Sequence, residues 1–272
     1  MSELRVLPIE GLPEIEAGSD LGKSIASRAE LRHGDVVVVS QKVVSKAEGR
    51  VRRLSTVVPG AEARRLAAEL GKEPAMVELI LEESREVLRA ERGVLITETH
   101  HGFVCANAGI DTSNLPDDNA ACLLPEDPDA SARNLRVEIA SAMEREHGAG
   151  LAGHSARSAS AESRPMLPPT IAVVIADSFG RAWRLGQTEV AIGCAGLTPL
   201  DDWRGRKDAN GRKLEATLIA VADEAAAAAD LVRGKDSHIP AAIVRGLDRF
   251  VTATDGPGAI ALRRPRDEDL FR

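Results

Sequence analysis

Two short segments of this 272-residue chain set acidic and hydroxyl side chains directly behind apolar runs. In the first, Asn107-Ala108-Gly109-Ile110-Asp111-Thr112-Ser113-Asn114 follows a short apolar stretch. In the second, Ile171-Ala172-Val173-Val174-Ile175-Ala176 runs into Asp177-Ser178, with Arg181 and Arg184 just beyond. Two carboxylates at strand ends are what a hard cation such as Mg²⁺ or Mn²⁺ takes, because oxygen ligands suit it and retained waters complete its octahedron. Taken singly, each segment reads better as a turn or a helix cap, since short Asp, Ser and Asn side chains bond neighbouring backbone amides.

Cationic groups lie near two other places. Gln41, Lys42 and Lys46 follow a run of four valines at 36–39, where a lysine can serve phosphate as a point charge or can simply face solvent. The stretch from Trp203 to Lys213 is basic and punctuated by glycine in an otherwise acidic chain, which suits an anion-binding loop or a tight turn at Asn210-Gly211. Arg181, Arg184, Arg206 and Lys207 are candidates for gripping phosphodiester or carboxylate groups. Neither a phosphate-binding Gly-x-x-x-x-Gly-Lys-Ser/Thr loop nor a Gly-x-Gly-x-x-Gly after a strand occurs. His100-His101 lack a third ligand at metal spacing, and Cys105 sits inside an apolar run as an inert thiol would.

The elements that must position these groups are a mixture. Strands are predicted at 6–9, 36–39, 94–97, 103–106, 170–176, 217–221, 241–244 and 250–253. Helices are predicted at 21–29, 62–70, 74–90, 130–145 and 223–233. Residues 146–169 shift to Gly, Ala, Ser, His and Pro and read as a mobile inserted loop. The irregular order of strands and helices predicts a mixed α/β (α+β) architecture over 1–272 as one domain.

Bulk properties exclude several classes. Apolar residues are 43% and charged residues 28% of the chain, the balance of a folded soluble protein. Aromatic residues are 2%, without tyrosine, and net charge is -7, so base-stacking platforms and nucleic-acid binding are not expected. No uninterrupted apolar run suggests a membrane span or a signal peptide, and three cysteines without metal spacing point to reduced thiols in a cytoplasm.

Taken together, six blocks resemble the F420-0:gamma-glutamyl ligase family (the CofE type), including the ligase half of actinobacterial FbiB proteins. They are Glu10-Gly11-Leu12-Pro13-Glu14-Ile15, Val43-Val44-Ser45-Lys46-Ala47-Glu48-Gly49, 107–114, 177–184, Gly205-Arg206-Lys207-Asp208 and Val221-Ala222-Asp223-Glu224. The resemblance implies a two-lobed fold, an intertwined homodimer, and GTP with Mg²⁺ or Mn²⁺ between the lobes, K⁺ being a further candidate. It implies metal ligation by Asp111, Asp177 and Ser178, the last in place of a family threonine. It implies GTP contacts from Leu12, Pro13, Glu14, Ile15, Gln41, Lys42, Lys46 and Asn114, with Lys46, Asp111 and Asp177 as catalytic groups. The implied reaction joins L-glutamate to the carboxylate of coenzyme F420-0 through an acyl phosphate. A non-catalytic deazaflavin- or nucleotide-binding relative, or a ligase using another amino acid or acceptor, is the competing expectation. Departures fall at 233–238, basic here where archaeal members carry glutamate, and at Gln41 and Lys42, which replace hydroxyl residues.

Overall fold

The computed structural model describes residues 3–152 and 169–270. In chain order its first elements are β1 (Arg5–Pro8), α1 (Leu21–Ala26), β2 (Val36–Ser40), α2 (Gln41–Ala47), β3 (Val51–Arg53), α3 (Ala61–Leu70) and α4 (Pro74–Glu82). There follow β4 (Ser84–Glu91), β5 (Val94–Thr99), β6 (Val104–Ala106), β7 (Ala120–Cys122) and α5 (Pro128–Ala152). The remainder are β8 (Ala172–Arg181), β9 (Arg184–Ala195), β10 (Asp201–Asp202), β11 (Leu218–Ile219), α6 (Val221–Asp230) and β12 (Ala241–Arg245). Among the described residues no helix is long and apolar enough to cross a membrane.

The architecture is mixed α/β, and its centre follows from the four valines of β2. A strand without polar alternation must be covered on both faces. It lies inside a five-stranded sheet of order β1-β12-β2-β8-β9, parallel to β8 and antiparallel to β12. Val37 and Val39 face one core with Ile25 of α1 and Leu135 and Ile139 of α5. Val36 and Val38 face the other, against Ala222, Ala225, Ala226 and Ala229 of α6, whose small side chains let the helix lie close to the sheet. Burying each valine contributes on the order of 1.5–3 kcal/mol. A third core gathers α3, α4, Leu95, Ile110 and Leu123 away from the main sheet.

Close backbone approaches lock these layers. A Cβ on Gly193 of β9 would lie 2.2 Å from the Pro128 carbonyl oxygen, so the start of α5 sits directly on the sheet. There Asp129 accepts hydrogen bonds from the amides of Cys194 at 2.9 Å and Ala259 at 2.7 Å. Asp35, with no exposed side-chain surface, receives both Nε and Nη2 of Arg245 at 2.8 Å, tying β2 to β12.

Several sequence expectations are corrected. The helix expected over 74–90 stops at Glu82, and 84–91 is strand β4, folded back on β5 through Arg92 and Gly93, both at positive φ (52° and 77°). A two-residue turn of that hand suits a hairpin and overrides the helical propensity of Glu86, Leu88 and Ala90. Strand β9, unforeseen, follows an Ala182-Trp183 turn with Trp183 at φ 60°. Strand 217–221 shrinks to the two residues of β11, while 250–253 contributes one isolated bridge, Val251 to Leu197. Helix α5 continues to Ala152, through the start of the expected loop; residues 153–168 of that loop lie outside the described residues.

Candidate functional site

Strand β2 passes into α2 without a loop, Ser40 being the last extended residue and Gln41 the first helical one. This junction aims Lys42 and Lys46, one helical turn apart, toward the segment carrying Asp111. That segment reaches its place through an irregular turn in which Asn107, Ala108 and Gly109 all adopt positive φ, at 52°, 54° and 71°. Two non-glycine residues in that region cost energy and persist only where surrounding structure imposes them. Here the imposing contact is a backbone pair: Asp111 N donates to Cys122 O at 3.1 Å and Cys122 N returns to Asp111 O at 2.9 Å.

Asp111 is thereby presented to two partners. Its Oδ1 accepts from the Ser113 amide at 2.8 Å, and its Oδ2 accepts from Ser113 Oγ at 2.8 Å and Lys42 Nζ at 2.7 Å. Lys42 Nζ also donates to the Ser113 carbonyl at 2.7 Å. Burial alone would raise the Asp111 carboxyl; hydrogen bonds from Lys42 and Ser113 outweigh it and hold the group below its ordinary value. Beside it Lys46 Nζ meets Glu14 Oε1 at 2.6 Å and the Asn114 carbonyl at 3.2 Å. Glu14, Lys46 and Asn114, predicted from separate blocks, therefore come together.

Asp177 is not at a strand end, as expected, but within β8, opposite Val190 of β9. Asp111 likewise lies five residues beyond the end of β6, held by its bridge to Cys122. The half-buried Asp177 accepts from the Ser178 amide at 2.9 Å. Its carboxyl is pushed up to about 7, first by burial and then by the charge of Glu189, with Asp111 adding to the rise and Lys42 opposing it. The charge of Asp111 is thus felt at Asp177.

Ser178 lies opposite Glu189 in the ladder, and its Oγ donates to Glu189 Oε1 at 2.6 Å. Glu189 pairs with Arg233 at 3.2 Å, and Lys235 Nζ donates to Ser178 Oγ at 2.7 Å. Glu189 was not singled out by sequence reasoning, and Arg233 and Lys235 were noted only within 233–238 as a basic departure from the family. The signal for Glu189 was hidden with strand β9 itself, since its alignment with Ser178 is a register property that no local spacing reveals.

The remaining candidates occupy varied settings. Ile15 is buried in the core with Leu12 packed against it, whereas Pro13 and Glu14 are exposed. Gln41 is buried, its Oε1 accepting from Ser45 Oγ at 2.9 Å. Arg206 is drawn to Asp201 at 3.1 Å and stacks over Trp203, and Arg181 donates to the Leu185 carbonyl at the tip of the β8-β9 hairpin. Cys105, Cys122 and Cys194 are free and buried, and burial lifts their thiols to about 12, 11 and 12. None is a thiolate nucleophile at neutral pH.

The donor set suits a divalent ion. A carboxylate destabilised as an anion by burial, by Glu189 and by Asp111 gains from a nearby cation. Among the described residues no three His, Cys, Asp or Glu side chains form a ready cage.

Comparison with known proteins identifies the family. A family described as F420-0:Gamma-glutamyl ligase matches residues 11–149 and 153–246. The Coenzyme F420:L-glutamate ligase of Methanothermobacter thermautotrophicus is 41% identical over 275 residues, covering 99% of each chain. The proteins of the same name from Archaeoglobus fulgidus and Methanopyrus kandleri are 40% and 39% identical over 271 residues, covering 99% of this chain and 96% and 98% of theirs. Matches running through every segment that builds the site, at this identity, mean that the chain belongs to the F420-0:gamma-glutamyl ligase family.

Proposed function

We propose that this ligase of coenzyme F420 biosynthesis joins L-glutamate to the carboxylate of F420-0 at the expense of GTP, extending the coenzyme by gamma-linked glutamates. The names of its relatives support the two substrates. The observations that support the mechanism are Lys42 held on Asp111 at 2.7 Å, Lys46 on the neighbouring Asn114 carbonyl at 3.2 Å, and the charge of Asp111 felt at Asp177.

A free carboxylate does not acylate an amine, because oxide is too poor a leaving group. The γ-phosphoryl of GTP therefore transfers to the F420-0 carboxylate, giving an acyl phosphate and GDP; the glutamate amine then attacks the acyl carbon, phosphate leaves and the amine loses a proton. Asp111 and Asp177 would hold Mg²⁺ or Mn²⁺, with Ser178 as the candidate third ligand and K⁺ as a further ion at the site. A bound divalent ion supplies charge neutralisation for phosphate oxygens. Lys42 and Lys46 add positive charge where negative charge develops during phosphoryl transfer. Leu12 to Ile15, Gln41 and Asn114 frame the nucleotide, Glu14 and Asn114 doing so through their contacts with Lys46. Two lobes, the second built on the core of α3 and α4, and an intertwined homodimer in the cytoplasm complete the reading.

Incubating the protein with GTP, Mn²⁺, glutamate and F420-0 tests it. Mass spectrometry should find F420-0 heavier by one or more glutamyl residues, with GDP and phosphate formed in step. Unchanged F420-0 would leave a binding protein in place of a ligase, and another amino acid preferred in the same assay would redirect the substrate assignment.

A further inference from the structure

We propose that Glu189 is a positioning residue for the ligase reaction: it fixes the Ser178 hydroxyl and, through Arg233, ties it to the strand end that leads to Lys42 and Lys46. The inference rests on the reading above, in which Ser178 stands beside the divalent ion. Glu189 of β9 and Ser178 of β8 are cross-strand partners, and Ser178 Oγ donates to Glu189 Oε1 at 2.6 Å. A serine hydroxyl has one proton and two lone pairs. Glu189 takes the proton, and Lys235 Nζ donates to one lone pair at 2.7 Å. The second lone pair is left for a cation.

The other oxygen of the same carboxylate carries a second contact. Glu189 Oε2 accepts from Arg233 Nη2 at 3.2 Å, and the two side chains are only 7% and 5% exposed. Arg233 Nη1 donates in turn to the Pro240 carbonyl at 3.2 Å, which also accepts the Ser40 amide at 2.8 Å. Ser40 is the residue at which β2 passes into α2. One chain of hydrogen bonds therefore runs from Ser178 through Glu189 and Arg233 to the junction behind Lys42.

Stability alone gives no account of this buried pair. Taking two charges out of water costs about as much as their attraction returns, and an apolar pair of the same volume stabilises a core as well or better. An apolar pair cannot take the serine proton. Groups that hold a metal ligand from behind change ion affinity or activity by about 10–100-fold when they are removed. Glu189 occupies that place behind Ser178, reaching it across the ladder from the neighbouring strand.

Titration of the full chain with Mn²⁺ in the presence of GDP, read by electron paramagnetic resonance of the free ion, tests this in E189Q, E189D, S178A and the two double variants. E189Q keeps the size of the side chain but offers one oxygen where Ser178 and Arg233 need two. E189D keeps the counter-charge of Arg233 and is one methylene short of Ser178. Each should weaken Mn²⁺ binding about tenfold or more, with circular dichroism unchanged. On the S178A background the same changes should weaken it by less than about twofold, because the hydroxyl through which Glu189 acts is gone. Equal losses on both backgrounds, the mark of a merely structural role, overturn the inference, as does wild-type affinity in both E189Q and E189D. Loss of the folded spectrum in both single variants overturns it too, making Glu189 a residue of the fold alone. Wild-type Mn²⁺ affinity in S178A removes the reading that sets Ser178 beside the ion, and this inference with it.

Discussion

Lys42 and Asp111 are 69 residues apart in the chain, and their charged atoms are 2.7 Å apart. The pair joins the β2-α2 junction to the segment that β7 holds in place, so the lysine both orients the carboxylate and keeps it ionised. Replacing it in K42M should cost about 1–3 kcal/mol, the range for removing a charged partner from a half-buried group. Urea denaturation of the metal-free protein measures this, and an unchanged midpoint would show that Ser113 alone suffices.

Neutralising either aspartate should damage catalysis far more than folding. D111N and D177N are each expected to lower ligase turnover by about a hundredfold or more, as loss of other electrostatic transition-state contacts does. Far-ultraviolet circular dichroism should remain that of the wild type. Retention of normal turnover and metal binding by D111N would remove the bridging role.

The raised Asp177 group has a pH signature with a definite sign. Its carboxyl, ordinarily near 3.8, is pushed up to about 7, so the folded protein holds that proton more tightly than the unfolded chain. Its contribution to stability is complete below about pH 4 and is lost as pH rises through about 7. In EDTA, the urea midpoint of wild type relative to D177N should therefore fall between about pH 4 and 7 and level off above. A difference that rises over the same interval would contradict the burial of Asp177 beside Glu189.

The Arg245-Asp35 pair makes a purely structural prediction. Asp35 has no exposed side-chain surface and receives two guanidinium nitrogens as well as the Arg32 amide at 2.7 Å. R245A leaves a buried carboxylate without its counter-charge and should cost about 3–5 kcal/mol. Chemical denaturation checks this, with R245K expected to recover only part because it lacks the two-pronged geometry.

Much of this was legible from residues alone, and the failures have physical causes. The four valines at 36–39 announced a strand buried on both faces, and the Ala-rich stretch after Val221 announced a helix, because burial and propensity agree there. Asp111, Asn114 and Asp177 stood out as short polar groups behind apolar runs. What stayed hidden depended on turns without the usual Asn-Gly signature. Arg92-Gly93 makes β4 from a helix-like sequence, and Ala182-Trp183 makes β9. With β9 hidden, so was Glu189, and with it the cluster of Ser178, Arg233 and Lys235. The pairing of Lys46 with Glu14 and of Lys42 with Asp111 is a tertiary fact that spacing in the chain cannot contain.

The claim on which the rest turns is that Asp111 and Asp177 share one divalent ion with the phosphates of the nucleotide. Crystals grown with Mn²⁺ and GDP, measured at the manganese absorption edge, address it most directly. The account predicts one anomalous peak at coordinating distance, about 2.0–2.2 Å, from oxygens of both aspartates and from a phosphate oxygen. A manganese peak that touches neither side chain, with the two carboxylates facing separate cavities, would contradict it.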